Sequence, residues 1–171
     1  MQRLFFSLKL TDTQQQQLLA YQQQVLSLCP GARPVATDNL HLTLFFLGQV
    51  DGETKQQLVA EAQRITIPGF VLTLDRLSGF SGPKIVYLAP SQAPSPLLAL
   101  QQQLAVLCKK AGFDDIHDSY QPHITLARQA VFADKLPVSP LTLEMSQFAL
   151  YQSGQFDGRL QYRPLQCFSL L

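Results

Sequence analysis

Apolar and polar positions alternate along this chain in two rhythms, one of strands and one of helices. Arg3 to Leu10 (RLFFSLKL) is rich in Leu and Phe and reads as a largely buried first strand. Thr11 to Gln14 carries the Thr-x-x-Gln pattern of a capping box. After it, Leu18, Leu19, Tyr21, Val25, Leu26 and Leu28 recur at roughly helical spacing until Pro30 and Gly31 stop the run. A loop from Ala32 to Asn39 leads into the strand LHLTLFFLG, expected to end at Gly48. A second helix is predicted over Asp51 to Ile65, with Leu58, Val59 and Ala62 as its apolar face and Pro68-Gly69 beyond it. The stretches FVLTLDRLSGF and KIVYLAP read as strands parted by a Gly/Pro loop. A third helix opens around Pro94 to Pro96 and runs through LLALQQQLAVLCKKAGF. Lys109 and Lys110 suit its dipole and Gly112 its C-terminal cap. Strands are then expected at HITLAR, from Leu143 to Tyr151, and at YRPLQCFSL.

Similar blocks occupy the two halves, and a four-residue pattern opens a strand in each: His41-Leu42-Thr43-Leu44 and His123-Ile124-Thr125-Leu126. Their separation is near half the chain length, which hints at an internal pseudo-repeat. The architecture expected is α+β: two small antiparallel-dominated sheets with helices outside, within a single domain over residues 1–171. No Gly-x-Gly-x-x-Gly follows the first strand, which weakens a dinucleotide-binding reading.

Composition narrows the function classes. The chain is 46% hydrophobic and 15% charged, with a net charge of +1, so it carries no basic stripe of the kind that coats long nucleic acids. Its polarity comes unusually often from glutamine. The tracts Gln14 to Gln17 and Gln101 to Gln103 lie between leucines and are expected to form solvated helix faces. Cys29, Cys108 and Cys167 are far apart and odd in number, with no metal spacing, so reduced thiols and a cytoplasmic setting are expected. The apolar run at the N-terminus is too short for a signal core, and no window approaches a membrane span, so no membrane association is expected.

On a strand, side chains alternate between faces. His41 and Thr43 therefore share one face and Leu42 and Leu44 the other; the second copy repeats this with His123 and Thr125 against Ile124 and Leu126. Two such strands beside one cleft would bring two imidazoles and two hydroxyls to one small object. A phosphodiester suits that set. An imidazole titrates near neutrality, so one ring can take a proton from water while the other gives one to the leaving oxygen. The threonine hydroxyls can donate to non-bridging oxygens, bonds worth about 1.5–3 kcal/mol each when charge-assisted. No cofactor is needed, and two histidines without a neighbouring Asp/Cys cluster are too few to hold a metal.

Parity along an unbroken strand puts Arg128 on the face opposite His123, but a bulge could return it to the cleft, where it would neutralise phosphate charge. Arg3, Arg33, Lys84, Arg159 and Arg163 are further candidate phosphate contacts. Phe5, Phe6 and Tyr120 could stack on a base. Phe45 and Phe46 are assigned to the core, Asp38 and Asn39 to the turn before the first motif, and His117 to an exposed loop.

RPVATDNLHLTLFFLGQV and QPHITLAR, with RLFFSLKL at the start and FALYQSG…GRLQYRPL near the end, resemble the 2H phosphoesterase superfamily, above all the bacterial and archaeal RNA 2′,3′-cyclic phosphodiesterases, also called 2′-5′ RNA ligases. The resemblance spans nearly the whole chain. It implies a bilobal fold with pseudo-twofold symmetry, each lobe giving one His-x-Thr strand to a central cleft. It implies opening of a terminal 2′,3′-cyclic phosphate on RNA to a 2′-phosphate, with His41 as proton donor, His123 as proton acceptor, and Thr43, Thr125 and Arg128 on the phosphate. Some members of the family also join tRNA halves through a reversible ATP-independent 2′-5′ linkage, so tRNA halves and short oligonucleotides are candidate partners; no obligate protein partner is implied.

Three other readings remain open at the level of sequence. The substrate could be a small cyclic nucleotide, ADP-ribose 1″,2″-cyclic phosphate or a 2′-5′-linked oligoadenylate. The chain could be a non-catalytic module that binds RNA ends. Or the repeated motif could be coincidental, in which case the two histidines would lie apart.

Overall fold

The computed structural model of the chain describes residues 1–115, 119–132 and 135–171. Its strands are β1 (Gln2–Leu8), β2 (Arg33–Pro34), β3 (Leu42–Val50), β4 (Phe70–Phe80), β5 (Ile85–Ala89), β6 (Ile124–Arg128), β7 (Leu136–Met145), β8 (Gln147–Phe156) and β9 (Arg159–Ser169). The helices are α1 (Asp12–Gln17), α2 (Leu19–Leu28), α3 (Gly52–Ala62) and α4 (Ser95–Lys110). The fold is mixed α+β.

Local chemistry sets the helix ends. The Thr11 hydroxyl accepts from the Gln14 N–H and the Gln14 side chain accepts from the Thr11 N–H, the reciprocal capping box. The Asp51 carboxylate accepts from the Thr54 N–H at 2.7 Å and so starts α3. Gly112 follows α4 with φ +97°, a conformation that glycine adopts without Cβ strain. The first helix is not continuous: it breaks at Leu18, which is buried between α1 and α2.

All strands belong to one sheet, ordered β7-β4-β5-β6-β3-β1-β8-β9, with β2 added beside β6. Two sheets were expected. Instead, a single antiparallel pair, Leu42 opposite Ile124, joins β3 to β6 at the centre and makes the ladder continuous. Both residues are fully buried, and backbone groups at such a place need partners, which each strand supplies to the other. On either side of this junction the order has the same logic: the motif strand, its antiparallel neighbour (β5 or β1), then two more strands.

Two strand expectations need correction. The stretch from Leu143 to Tyr151 is not one strand. It turns at Ser146, with Leu143 and Met145 buried before the turn and Phe148 and Leu150 after it. The buried parity changes there because the chain leaves β4 and crosses to β1. Gly48 does not end β3. It takes φ +82° inside a bulge that skips Leu47 against β1, and pairing continues to Val50.

Candidate active site

The Leu42–Ile124 pair fixes the geometry of the motifs. Carrying the antiparallel register one step either way sets His41 across from Thr125 and Thr43 across from His123. Leu42, Leu44, Ile124 and Leu126 are buried, while the two histidines and two threonines are partly buried on the other face. His41 and His123 are thus diagonal neighbours, a separation on the order of 7–8 Å in such pairs. The charges at His123 and Arg128 both act on His41, as this convergence requires.

Both rings are oriented by the same device. His41 Nδ1 lies 2.8 Å from the Asn39 carbonyl and His123 Nδ1 lies 2.7 Å from the Gln121 carbonyl, in each case the residue two before the histidine. A carbonyl oxygen can only accept, so Nδ1 carries the proton in both rings and Nε2 is turned away from the backbone. His41 Nε2 then accepts from the Thr43 hydroxyl at 2.9 Å.

Each ring also has an aromatic frame. Phe5 and Tyr162 flank His41 at centroid distances of 5.1 and 4.8 Å. Phe80 and Tyr87 flank His123 at 5.3 and 5.2 Å. Burial lowers the His41 pKa from its ordinary 6.5 to about 4, because the charged imidazolium loses water; the Asn39 carbonyl opposes this, and the charges of His123 and Arg128 add to it. At neutral pH His41 is therefore a neutral ring.

A bulge occupies the same motif position in both strands. Phe6 pairs with Phe45 and Ser7 with Thr43, so Leu44 is the extra residue of β3; Val86 pairs with Ala127 and Tyr87 with Thr125, so Leu126 is the extra residue of β6. The bulge in β6 resets the strand's parity, so Arg128 returns to the face of Thr125, where its charge reaches His41. A buried glutamine braces each bulge. Gln22 of α2 donates through Nε2 to Leu126 O and Val35 O, both at 2.9 Å, and Gln101 of α4 donates to Leu44 O at 3.4 Å. The expectation of a solvated glutamine face fails at Gln101, because bulged carbonyls leave the ladder and need donors.

A sequence model described as the 2′-5′ RNA ligase superfamily matches residues 12–152, which include both motifs. The chain belongs to this superfamily. It is 36% identical to an RNA 2′,3′-cyclic phosphodiesterase of Escherichia coli K12, over 99% of this chain and 97% of that one. It is 27% identical to an RNA 2′,3′-cyclic phosphodiesterase of Thermotoga maritima, over 88% of this chain and 86% of that one. A crystal structure of E. coli LigT complexed with 3′-AMP superposes with a TM-score of 0.86 at 35% identity, covering 99% of this chain and 98% of that one.

In this member of the 2′-5′ RNA ligase superfamily a cavity of 690 Å³ opens beside the quartet, lined by Thr43, Phe46, Phe80, Gln101, Tyr120 and His123 among others. Phe46 therefore reaches the cavity as well as the core expected of it, and Tyr120 lines the cavity while packing against the core. The Tyr120 hydroxyl donates to Thr43 O at 2.9 Å, and burial raises its pKa. Phe6 is fully buried and belongs to the core; Phe5 lies tilted against the His41 ring. Among the other candidate cations, Arg159 is paired with Asp38 at 2.9 Å, Arg163 lies 3.6 Å over the Phe156 ring, and Arg3 lies 4.9 Å over the Phe46 ring. Lys84 and Arg33 are exposed. His117 lies outside the described residues. Among the described residues no three His, Cys, Asp or Glu side chains converge as a metal site, and no helix is long and apolar enough to cross a membrane.

Sequence reasoning placed Asn39 only in a turn. Its amide also fastens β9, donating to Leu160 O at 2.9 Å and accepting from the Tyr162 N–H at 3.3 Å, so it holds Tyr162 against His41. No local pattern could reveal this, since the partners are more than a hundred residues away.

Proposed function

We propose that this chain is an RNA 2′,3′-cyclic phosphodiesterase in which His41 and His123 act as an acid–base pair on the terminal phosphorus. Superfamily membership and near-full-length similarity to enzymes of that name support the reaction. The observation that carries the residue assignment is the shared pinning of both Nδ1 atoms, which aims two Nε2 atoms at one face.

The cyclic phosphate lies between the rings. His123 takes a proton from water as the water oxygen bonds to phosphorus. The bond from phosphorus to the 3′ oxygen breaks, His41 delivers a proton to that oxygen, and a 2′-phosphomonoester remains. Thr43, Thr125 and Arg128 hold the non-bridging oxygens. His41 must be protonated to act, yet burial keeps it neutral in the empty cleft. The anion resolves this: its negative charge offsets the fields of His123 and Arg128, and the proton is taken up with the substrate. With a 5′-hydroxyl in place of water, the same pair forms a 2′-5′ linkage, and tRNA halves are substrates for that direction.

The aromatic cavity suits the terminal base. The matching strand orders, bulges and glutamine braces support reading residues 1–171 as one bilobal domain with a pseudo-twofold axis through the Leu42–Ile124 pair. The free cysteines fit a cytoplasmic setting.

The test is incubation of the purified protein with RNA ending in a 2′,3′-cyclic phosphate, beside 2′,3′-cyclic mononucleotides and ADP-ribose 1″,2″-cyclic phosphate. Conversion of the RNA end to a 2′-phosphate is expected. Binding without ring opening would return the chain to the class of RNA-end binding modules.

A further inference from the structure

We propose that Arg33, beside the phosphate-holding Arg128, forms a second anion subsite, which takes the phosphodiester on the 5′ side of the terminal nucleotide and makes an oligoribonucleotide a better substrate than a lone cyclic nucleotide. This rests on the phosphodiesterase reading above.

Arg33 and Arg128 are direct cross-strand partners in the β2–β6 pair, so their side chains share a face. That face is the cleft face: Arg128 stands opposite Ile85 and Thr125 opposite Tyr87, two positions apart on β5, and Tyr87 flanks His123. Two like charges directly opposite are destabilising. Among the described residues neither guanidinium has a carboxylate partner, and Asp38, on the connection that follows Arg33, is taken by Arg159. The backbone nevertheless holds the pair in place: the Val35 N–H donates to Leu126 O at 3.0 Å, and Gln22 donates to Val35 O. Pro34 stiffens the same segment. Two unneutralised cations on a fastened backbone are what an anion site needs.

The position fits the chain phosphate. β3 and β6 are antiparallel and meet at Leu42–Ile124, so their downstream halves run in opposite directions. The aromatic cavity is lined by Thr43 to Phe46 at the start of β3 and by Gly79 to Pro83 between β4 and β5, and the arginine pair lies at the downstream end of β6. With the cyclic phosphate in the quartet, the phosphodiester on the 5′ side of the same ribose is one nucleotide step away, within reach of the strand that carries Arg33. Arg128 adjoins the reacting phosphate, and Arg33, one strand further, meets the next.

The experiment compares kcat/KM for a dinucleotide ending in a 2′,3′-cyclic phosphate with that for the cyclic mononucleotide. The wild-type protein is expected to favour the dinucleotide, and Arg33→Gln to reduce that ratio about tenfold, the loss of one charge-assisted contact. Arg33→Lys keeps part of the ratio. Arg64→Gln removes an equal charge beside α3 and leaves it unchanged. No preference in the wild type, an unchanged ratio in Arg33→Gln, or an equal fall on both substrates overturns the proposal. A second measurement needs no turnover: binding of an oligoribonucleotide ending in 2′-phosphate across a salt series. The slope of log K against log salt is expected to fall by about 0.7 in Arg33→Gln, and an unaltered slope overturns the subsite. If the wild type opens neither ester, the phosphodiesterase reading fails, and the salt series still decides the subsite.

Discussion

Leu42 stands opposite Ile124, and through that one backbone pair each histidine comes to lie beside the other motif's threonine. Both side chains are fully buried, so the junction is tied to the core. Ile124→Ala is expected to cost about 2–5 kcal/mol in denaturant unfolding. Activity should fall further than the unfolded fraction explains, since the register of the quartet loosens. Loss of activity that merely tracks unfolding would mean the junction does not position the site.

Removing either half of the proposed acid–base pair should be severe. His41→Ala and His123→Ala are each expected to lower cyclic phosphodiesterase turnover at least about 10²-fold, with melting temperatures close to wild type. Wild-type-like turnover in either variant rules out the paired scheme.

Thr43 touches both the ring and the proposed phosphate position, with its hydroxyl 2.9 Å from His41 Nε2. Thr43→Val keeps the shape and removes the donor. We expect kcat to fall roughly tenfold or more, the value of one lost charge-assisted hydrogen bond, while Thr43→Ser restores most of it. Steady-state kinetics on the three proteins gives the answer.

Acid should destabilise the empty enzyme through His41. Its folded pKa, about 4, lies below the ordinary 6.5, so the unfolded chain takes up the proton first as pH falls. The stability that neutral His41 supplies is complete above about pH 6.5 and is lost as pH falls towards 4. Between pH 7 and pH 5 the loss is about 2 kcal/mol. Denaturant unfolding of wild type and His41→Gln at both values should show this difference, and inorganic phosphate should shrink it by stabilising the imidazolium. A pH dependence identical in the two proteins would contradict the burial of His41.

The two glutamine braces should differ in weight. Gln22 satisfies two carbonyls at 2.9 Å and Gln101 one at 3.4 Å. Gln22→Leu is therefore expected to cost more than Gln101→Leu, on the order of 1–3 kcal/mol for each carbonyl left without its donor. Thermal melts would rank them, and a reversed order would show that the braces are not what holds the bulges.

The chain's own pattern was enough to find most of this molecule's parts. The capping box at Thr11, the helices over α3 and α4, and the faces of both His-x-Thr strands follow from local rules of period and capping, which act over a few residues. The motif pair, being two of three histidines in one repeated pattern, already pointed to acid–base chemistry on a phosphoester. The turn at Ser146, inside the stretch expected as one strand from Leu143 to Tyr151, belongs to the tertiary structure, since it lies where the chain leaves β4 and crosses to β1. Tertiary structure alone decided the rest: that two expected sheets join into one through Leu42 and Ile124, that bulges at Leu44 and Leu126 re-aim Arg128, that Gln22 and Gln101 face inward, and that Arg33 lies beside Arg128. Each of these depends on a hydrogen-bond partner distant along the chain. Periodicity reports which face of an element is buried, but the donor or acceptor waiting across the core is set only when the elements pack.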